Sequence, residues 1–238
     1  MVQGEDPRRR RLVAALTAGL LGAVLPARAQ VLGRRPARLP AQRSIYRLTG
    51  RVTVNGAPAT EATRILPGDT VETGPDGEVV FVVGGHSMLL RGGSRLVVGE
   101  AASREPVLLL AALRLVTGAI LQVSRNTRMS IQTPNASFGI RGTGWYAEAA
   151  PDLTYFCTCY GVTDAAALDD PASRRTVQAY QHDQPLYVVT KGAAGERIRN
   201  APFINHADQE LMLIETLVGR ETPYVFPLDD YAVPRREY

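Results

Sequence analysis

The chain has 238 residues, enough for a hydrophobic core that needs no disulfide staples. Its formal charge of +4 is concentrated at the start: Arg8, Arg9, Arg10, Arg11 and Arg28 face only Glu5 and Asp6 within residues 1–29, which leaves the remainder at +1. A nearly neutral body removes the electrostatic basis for a nucleic-acid partner.

Residues 1–29 have the form of a secretory signal: a basic run, an apolar stretch over residues 12–25, and Ala27-Arg28-Ala29 with small residues at the positions a signal peptidase reads. The apolar stretch would reach roughly 21 Å as a helix, short of the ~30 Å hydrocarbon layer, so cleavage before Gln30 is expected over a retained anchor. Arg9-Arg10-Arg11-Leu12-Val13 also fits a twin-arginine signal, so export by the Sec or the Tat route is expected, to the periplasm or beyond. No later apolar run is long enough to span a bilayer, so the mature chain is not expected to be an integral membrane protein. Residues 30–43, rich in Arg, Pro, Ala and Gly, read as a flexible leader.

From Ser44 onward, short strand patterns alternate with turn signals. Arg51-Val52-Thr53-Val54 ends at Asn55-Gly56, a hairpin-turn dipeptide, and Leu66-Pro67-Gly68-Asp69 is a further turn before Thr70-Val71-Glu72-Thr73. Glu78-Val79-Val80-Phe81-Val82-Val83 is too continuously apolar for a half-exposed strand and is expected to be buried on both faces. Further strands are expected at residues 87–91, 94–98, 107–110, 113–116, 119–123 and 129–132, with Thr117-Gly118 separating two of them. Residues 137–146 (SFGIRGTGWY) and 153–160 (LTYFCTCY) complete the rhythm. Together these predict an all-β fold over residues 44–200, a β-sandwich or β-roll of many short strands. One C-terminal amphipathic helix is expected within residues 201–238, its apolar stripe formed by Ala207, Leu211, Ile214 and Val218. Asn205 would cap its start, Gly219 would end it, and the tail beyond would pack on the domain.

The segments "GRVTVNG", "LPGDTVETGPDGEVVFVVGGHSMLLRGGSRLVV", "LRLVTGAILQV", "IQTPNASFGIRGTGWYAE" and "FCTCYGVTDAAA" occur in the order that characterises the FecR domain, and the chain resembles that family over residues 50 to 167. Gly139, Ile140, Arg141, Gly142 and Thr143 form the family's fingerprint. The resemblance implies an all-β extracytoplasmic module for protein–protein signalling, without catalysis, with an envelope protein as partner and no cofactor. The chain departs from the sensor-regulator form: 29 residues are too few for both a sigma-factor-binding segment and a membrane helix, so a stand-alone exported module is expected.

No phosphate-cradling loop and no nucleophile elbow are present, and the three glycines around Arg141 read as bends. Arg141 itself would brace a bend by bonding loop carbonyls, or grip a carboxylate. An alternative function rests on Cys157, Cys159, His182 and His206. Residues i and i+2 of a strand share a face, so Cys157 and Cys159 would present two sulfurs together. Two thiolates with two imidazoles suit zinc or copper, and His206 at the first turn of the helix would keep a free lone pair. Spacing alone does not bring the histidines to the cysteines. A pair of small buried cysteines, or a redox pair, remains open beside the metal site.

Overall fold

A computed structural model describes residues 37–99, 112–124 and 128–223, with only the backbone described at Thr143. The export segment, the strand expected at residues 107–110 and the tail from residue 224 lie outside the described residues. Among the described residues fourteen strands and one helix follow in order. The first seven strands are β1 (Ile45–Thr49), β2 (Val52–Val54), β3 (Ala57–Pro58), β4 (Thr70–Thr73), β5 (Glu78–Val83), β6 (His86–Leu90) and β7 (Arg95–Val98). After them come β8 (Ala112–Ser124), β9 (Arg128–Gln132), β10 (Ala136–Ala149), β11 (Leu153–Ala167), β12 (Arg174–Ala179), β13 (Leu186–Val189), β14 (Ile198–Asn200) and α1 (Asp208–Leu217). The fold is all-β with one C-terminal helix, as the alternation predicts.

The strands form one hydrogen-bonded sheet, antiparallel except for the β8–β9 pair, folded over a barrel-like core. It folds because three long strands change partners along their length. The first part of β8 pairs with β7 and β9, while its second part, from Gly118, pairs with β10 and β6. In β10, residues 137–141 lie against β9 and residues 144–149 against β8, with Gly142 at φ 62° between them. In β11, Leu153–Phe156 pair with β13, and Gly161–Ala166 pair with β12. Gly118, Gly142 and Gly161 all have positive φ, a conformation glycine adopts without the Cβ penalty. Strands that bend at such points turn the corners of a folded sheet.

These corners revise two expectations and leave a third standing. Thr117-Gly118 does not separate two strands; it bends one 13-residue strand. Gly139 is no bend at all, because it lies in regular pairing with Asp164 and Ser130. The hairpin at Asn55-Gly56 does form, with φ of 51° and 81°, both positive as a tight hairpin turn requires.

The sheet buries both faces. On one, Phe138, Trp145 and Phe156 stack, with ring centroids 3.9 Å apart for Phe138–Phe156 and 5.6 Å for Trp145–Phe156. On the other, Leu121, Val123, Tyr146, Tyr155, Cys157 and Cys159 are covered by Leu211, Ile214, Leu217 and Val218 of the helical segment. Consecutive Trp145 and Tyr146 therefore serve opposite faces, as a pleated strand dictates. Val79, Val80 and Phe81 of β5 are buried in turn on the two faces, which explains the continuous apolar run. Each fully buried aliphatic side chain under α1 stabilises its docking by roughly 1.5–3 kcal/mol.

The helix begins later than Asn205 predicts. Ala207 is the N-cap, and the Glu210 carboxylate accepts its N–H at 3.0 Å; Asn205 sits outside in the left-handed region at φ 61°. Gly219 ends the helix at φ 72°, with the Gly219 N–H on Thr216 O (2.9 Å) and the Arg220 N–H on Glu215 O (2.9 Å), the paired bonds of a Schellman motif. At the other end of the chain the leader reaches into the described residues, and there Leu39 is buried and donates its N–H to Leu217 O at 3.0 Å. Among the described residues no helix is long and apolar enough to cross a membrane.

Candidate metal centre

Cys157 and Cys159 lie on β11 and point to the same face, under α1. The register with β10 steps from Tyr160↔Gly144 to Thr158↔Trp145, so Cys159 is the unpaired residue of a bulge. That bulge frees the Cys159 carbonyl, which accepts the His182 N–H at 3.0 Å. His182 stands in the turn between β12 and β13 with φ 52°, and His206 precedes α1, directly after left-handed Asn205. Two left-handed residues thus bring distant segments onto one pair of sulfurs.

All four side chains are buried, and one donor atom from each lies within 4.8 Å of every other. Cys157 Sγ is 3.6 Å from His182 Nδ1, Cys159 Sγ is 3.5 Å from His206 Nε2, and the two ring nitrogens are 3.0 Å apart. Neither cysteine is in a disulfide. The outer ring nitrogens are committed: His182 Nε2 meets Asp208 Oδ1 at 2.8 Å, and His206 Nδ1 meets the Ile204 carbonyl at 2.8 Å. Carboxylate and carbonyl oxygens accept, so these nitrogens carry the protons. The inner nitrogens are then both lone pairs, facing each other at 3.0 Å. Such a pair needs a proton or a cation between them.

The charge balance without a metal follows from the same contacts. Burial works to lower the His182 pKa, but the bonds to Asp208 and Cys157 outweigh it and raise it to about 9. Burial pushes the Cys157 thiol up, and its hydrogen bond with Cys159 and its contacts with the two histidines more than reverse this, holding it well below the usual thiol range. Burial and the neighbouring Cys157 push Cys159 well above that range. Negative charge is therefore favoured on Cys157 over Cys159, opposite a His182 whose protonated form Asp208 supports. His206 stacks on Tyr146 at 4.5 Å between centroids, and Phe203 packs on both imidazoles.

His206 lies before the N-cap and not in the helix's first turn, so its lone pair is set by the Ile204 carbonyl and not by the helix dipole. Asp208, the first residue of α1 and 2% exposed, went unnoticed in the sequence, although an acidic residue two positions after a histidine at a helix start was the available signal. The fingerprint residues are elsewhere. Arg141 Nη2 lies 3.0 Å and 2.9 Å from the Asp164 carboxylate oxygens, a half-exposed ion pair and not a brace on loop carbonyls. Ile140 is buried in the main core, Gly139 lies in regular pairing, Gly142 makes the bend, and Thr143 continues β10.

No protein-family model matches the chain, and no curated protein matches it. Among solved structures, two crystal structures of a putative anti-sigma factor from Parabacteroides distasonis ATCC 8503 are similar to part of the chain, with TM-scores of 0.43 and 0.42 and 13% sequence identity. Each alignment covers 56% of this chain and 58% of the other, so this chain spans less than two thirds of that protein.

Proposed function

We propose that Cys157, Cys159, His182 and His206 hold a structural zinc ion that fastens the C-terminal segment to the sheet of a non-enzymatic binding module. The observation that carries this reading is the convergence of two sulfurs and two ring nitrogens within 4.8 Å of one another, the nitrogens 3.0 Å apart and their rings oriented by outer hydrogen bonds to Asp208 and Ile204. Bonds of about 2.3 Å to sulfur and about 2.05 Å to nitrogen at a tetrahedral angle give S···N edges of about 3.6 Å and N···N edges of about 3.3 Å. The metal-free distances of 3.6, 3.5 and 3.0 Å already approach that frame. The outer hydrogen bonds are of the kind that orient metal-bound histidines. Four buried protein ligands leave no position for a substrate, which favours a structural role over a catalytic one. Copper suits the same donors, and metal analysis distinguishes the two.

Protein purified after native export is expected to carry one equivalent of zinc by elemental analysis, and the Cys157→Ser, Cys159→Ser variant none. A wild-type protein without stoichiometric zinc or copper would refute the centre.

The ordered FecR-like segments favour a second reading that is compatible with the first: a stand-alone exported signalling module that engages an envelope protein. Pull-down from envelope extracts of iron-replete and iron-starved cells tests it, and recovery of no specific partner under either condition would count against it.

A further inference from the structure

A cavity of about 760 Å³ opens beside the helical segment, within the range of small-molecule sites. Its apolar wall is made by Leu153, Tyr155, Tyr187 and Ile204, and its polar wall includes Glu148 and Asn205. Tyr155 and Tyr187 meet edge to face at 5.7 Å. Leu153 is 40% exposed at the cavity's rim.

The charges on the polar side are unequal in their commitments. Arg91 is spent: its Nη1 and Nη2 bind both oxygens of Glu210 at 3.0 and 2.8 Å, Nη1 also binds Glu78 at 3.2 Å, and Nη2 also binds the Asn205 carbonyl at 3.1 Å. Glu78 is shared between Arg91 and Arg47. Glu148 has no cationic partner among the described residues. Its Oε1 takes hydrogen bonds from Tyr146 Oη at 2.8 Å and Asn205 Nδ2 at 2.5 Å, both neutral donors, and Oε2 is left over. Asn205 is 8% exposed, and its Oδ1 is buried with no partner among the described residues. The cavity therefore offers an unneutralised carboxylate beside two tyrosines, and Arg91, the cationic side chain in its lining, is already engaged by two carboxylates.

We infer that this cavity binds a cationic nitrogen group, a guanidinium or primary ammonium on an apolar stem, with Glu148 as counter-ion and the tyrosine pair against the stem. Either group pairs with a carboxylate through charge-assisted hydrogen bonds, and aromatic rings attract such a cation. The group arrives either on a free amine or on the arginine or lysine side chain of a peptide. The inference does not depend on the metal centre.

Calorimetric titration of the exported, metal-replete protein tests it, with agmatine and acetyl-Leu-Arg-Leu-amide as cationic probes and butyrate as the anionic control. Saturable binding of either cationic probe and none of butyrate is expected, and the tighter probe identifies the source of the cation. Glu148→Gln keeps an oxygen acceptor for Tyr146 and Asn205 and removes the charge; it is expected to weaken binding about tenfold or more. Should that variant misfold by circular dichroism, Leu153→Lys places a competing cation at an exposed lining position and is expected to abolish binding. The inference is overturned if neither cation binds at millimolar concentration, if butyrate binds as tightly, or if the folded variant retains wild-type affinity.

Discussion

Two buried histidine environments in this protein have opposite consequences. In the Cys/His cluster, each imidazole has a partner for its outer nitrogen, and the inner nitrogens face the sulfurs. Asp208 fixes the His182 tautomer without touching the inner donors, so Asp208→Asn is expected to lower zinc affinity by about 10–100-fold while leaving one equivalent bound at saturation. Competition against a chromophoric chelator measures this, and unchanged affinity would remove Asp208 from the site. His86 is different: it is 1% exposed among Ser124, Gln122 and Met129, its Nδ1 lies within 3.2 Å of Ser124 Oγ and Gln122 Nε2, and none of these neighbours is charged. Burial therefore lowers its pKa to about 4. The unfolded chain, with the ordinary histidine pKa near 6.5, takes up the proton first as pH falls. The stability contributed by neutral His86 is thus fully present above pH 6.5 and is lost progressively down to about pH 4, amounting to about 3 kcal/mol. Urea unfolding followed by the fluorescence of Trp145, the sole tryptophan and fully buried, measures it. His86→Gln is expected to flatten the pH dependence in that window.

At the scale of the element, the glycines of the long strands are not equivalent. A Cβ at Gly118 would lie 2.1 Å from Ser94 Oγ and 2.4 Å from Ser94 Cα, and the residue holds φ +88°. Gly118→Ala is expected to destabilise by about 2 kcal/mol or more, because the corner of β8 must move or strain. Gly139, whose added Cβ would meet nothing closer than 3.9 Å, is expected to accept alanine with stability unchanged or raised by about 0.5–1 kcal/mol. Denaturant midpoints of the two variants decide between corner and plain strand position. Both glycines belong to similar apolar surroundings in the sequence, and nothing local distinguishes them. The difference arises because β8 changes partners at Gly118, whereas β10 keeps regular pairing on both sides at Gly139.

For the molecule as a whole, the cluster joins three separate pieces: β11, the turn between β12 and β13, and the segment entering α1. A metal there stabilises the folded state by mass action, about 4 kcal/mol when free metal is a thousandfold above its dissociation constant. Chelation is therefore expected to lower the thermal midpoint by about 10 °C, and added zinc to restore it. An unchanged midpoint would mean that packing alone holds the helical segment, through Leu211, Ile214, Leu217 and Val218.

Much of this arrangement was legible in the chain. Alternation determined the all-β class and placed Cys157 and Cys159 on one face, because strand periodicity encodes sidedness locally. The 3.6-residue stripe determined the buried face of α1, and Gly219 its end. Tertiary structure alone decided that His182 and His206 meet those cysteines, since their approach depends on left-handed turns at His182 and Asn205 and on a bulge at Cys159, none of which carries a periodic signal. It also decided the partner changes at Gly118, Gly142 and Gly161 and the role of Asp208. Sidedness is a property of neighbouring residues, but the closure of long loops is settled by the packing of the whole chain.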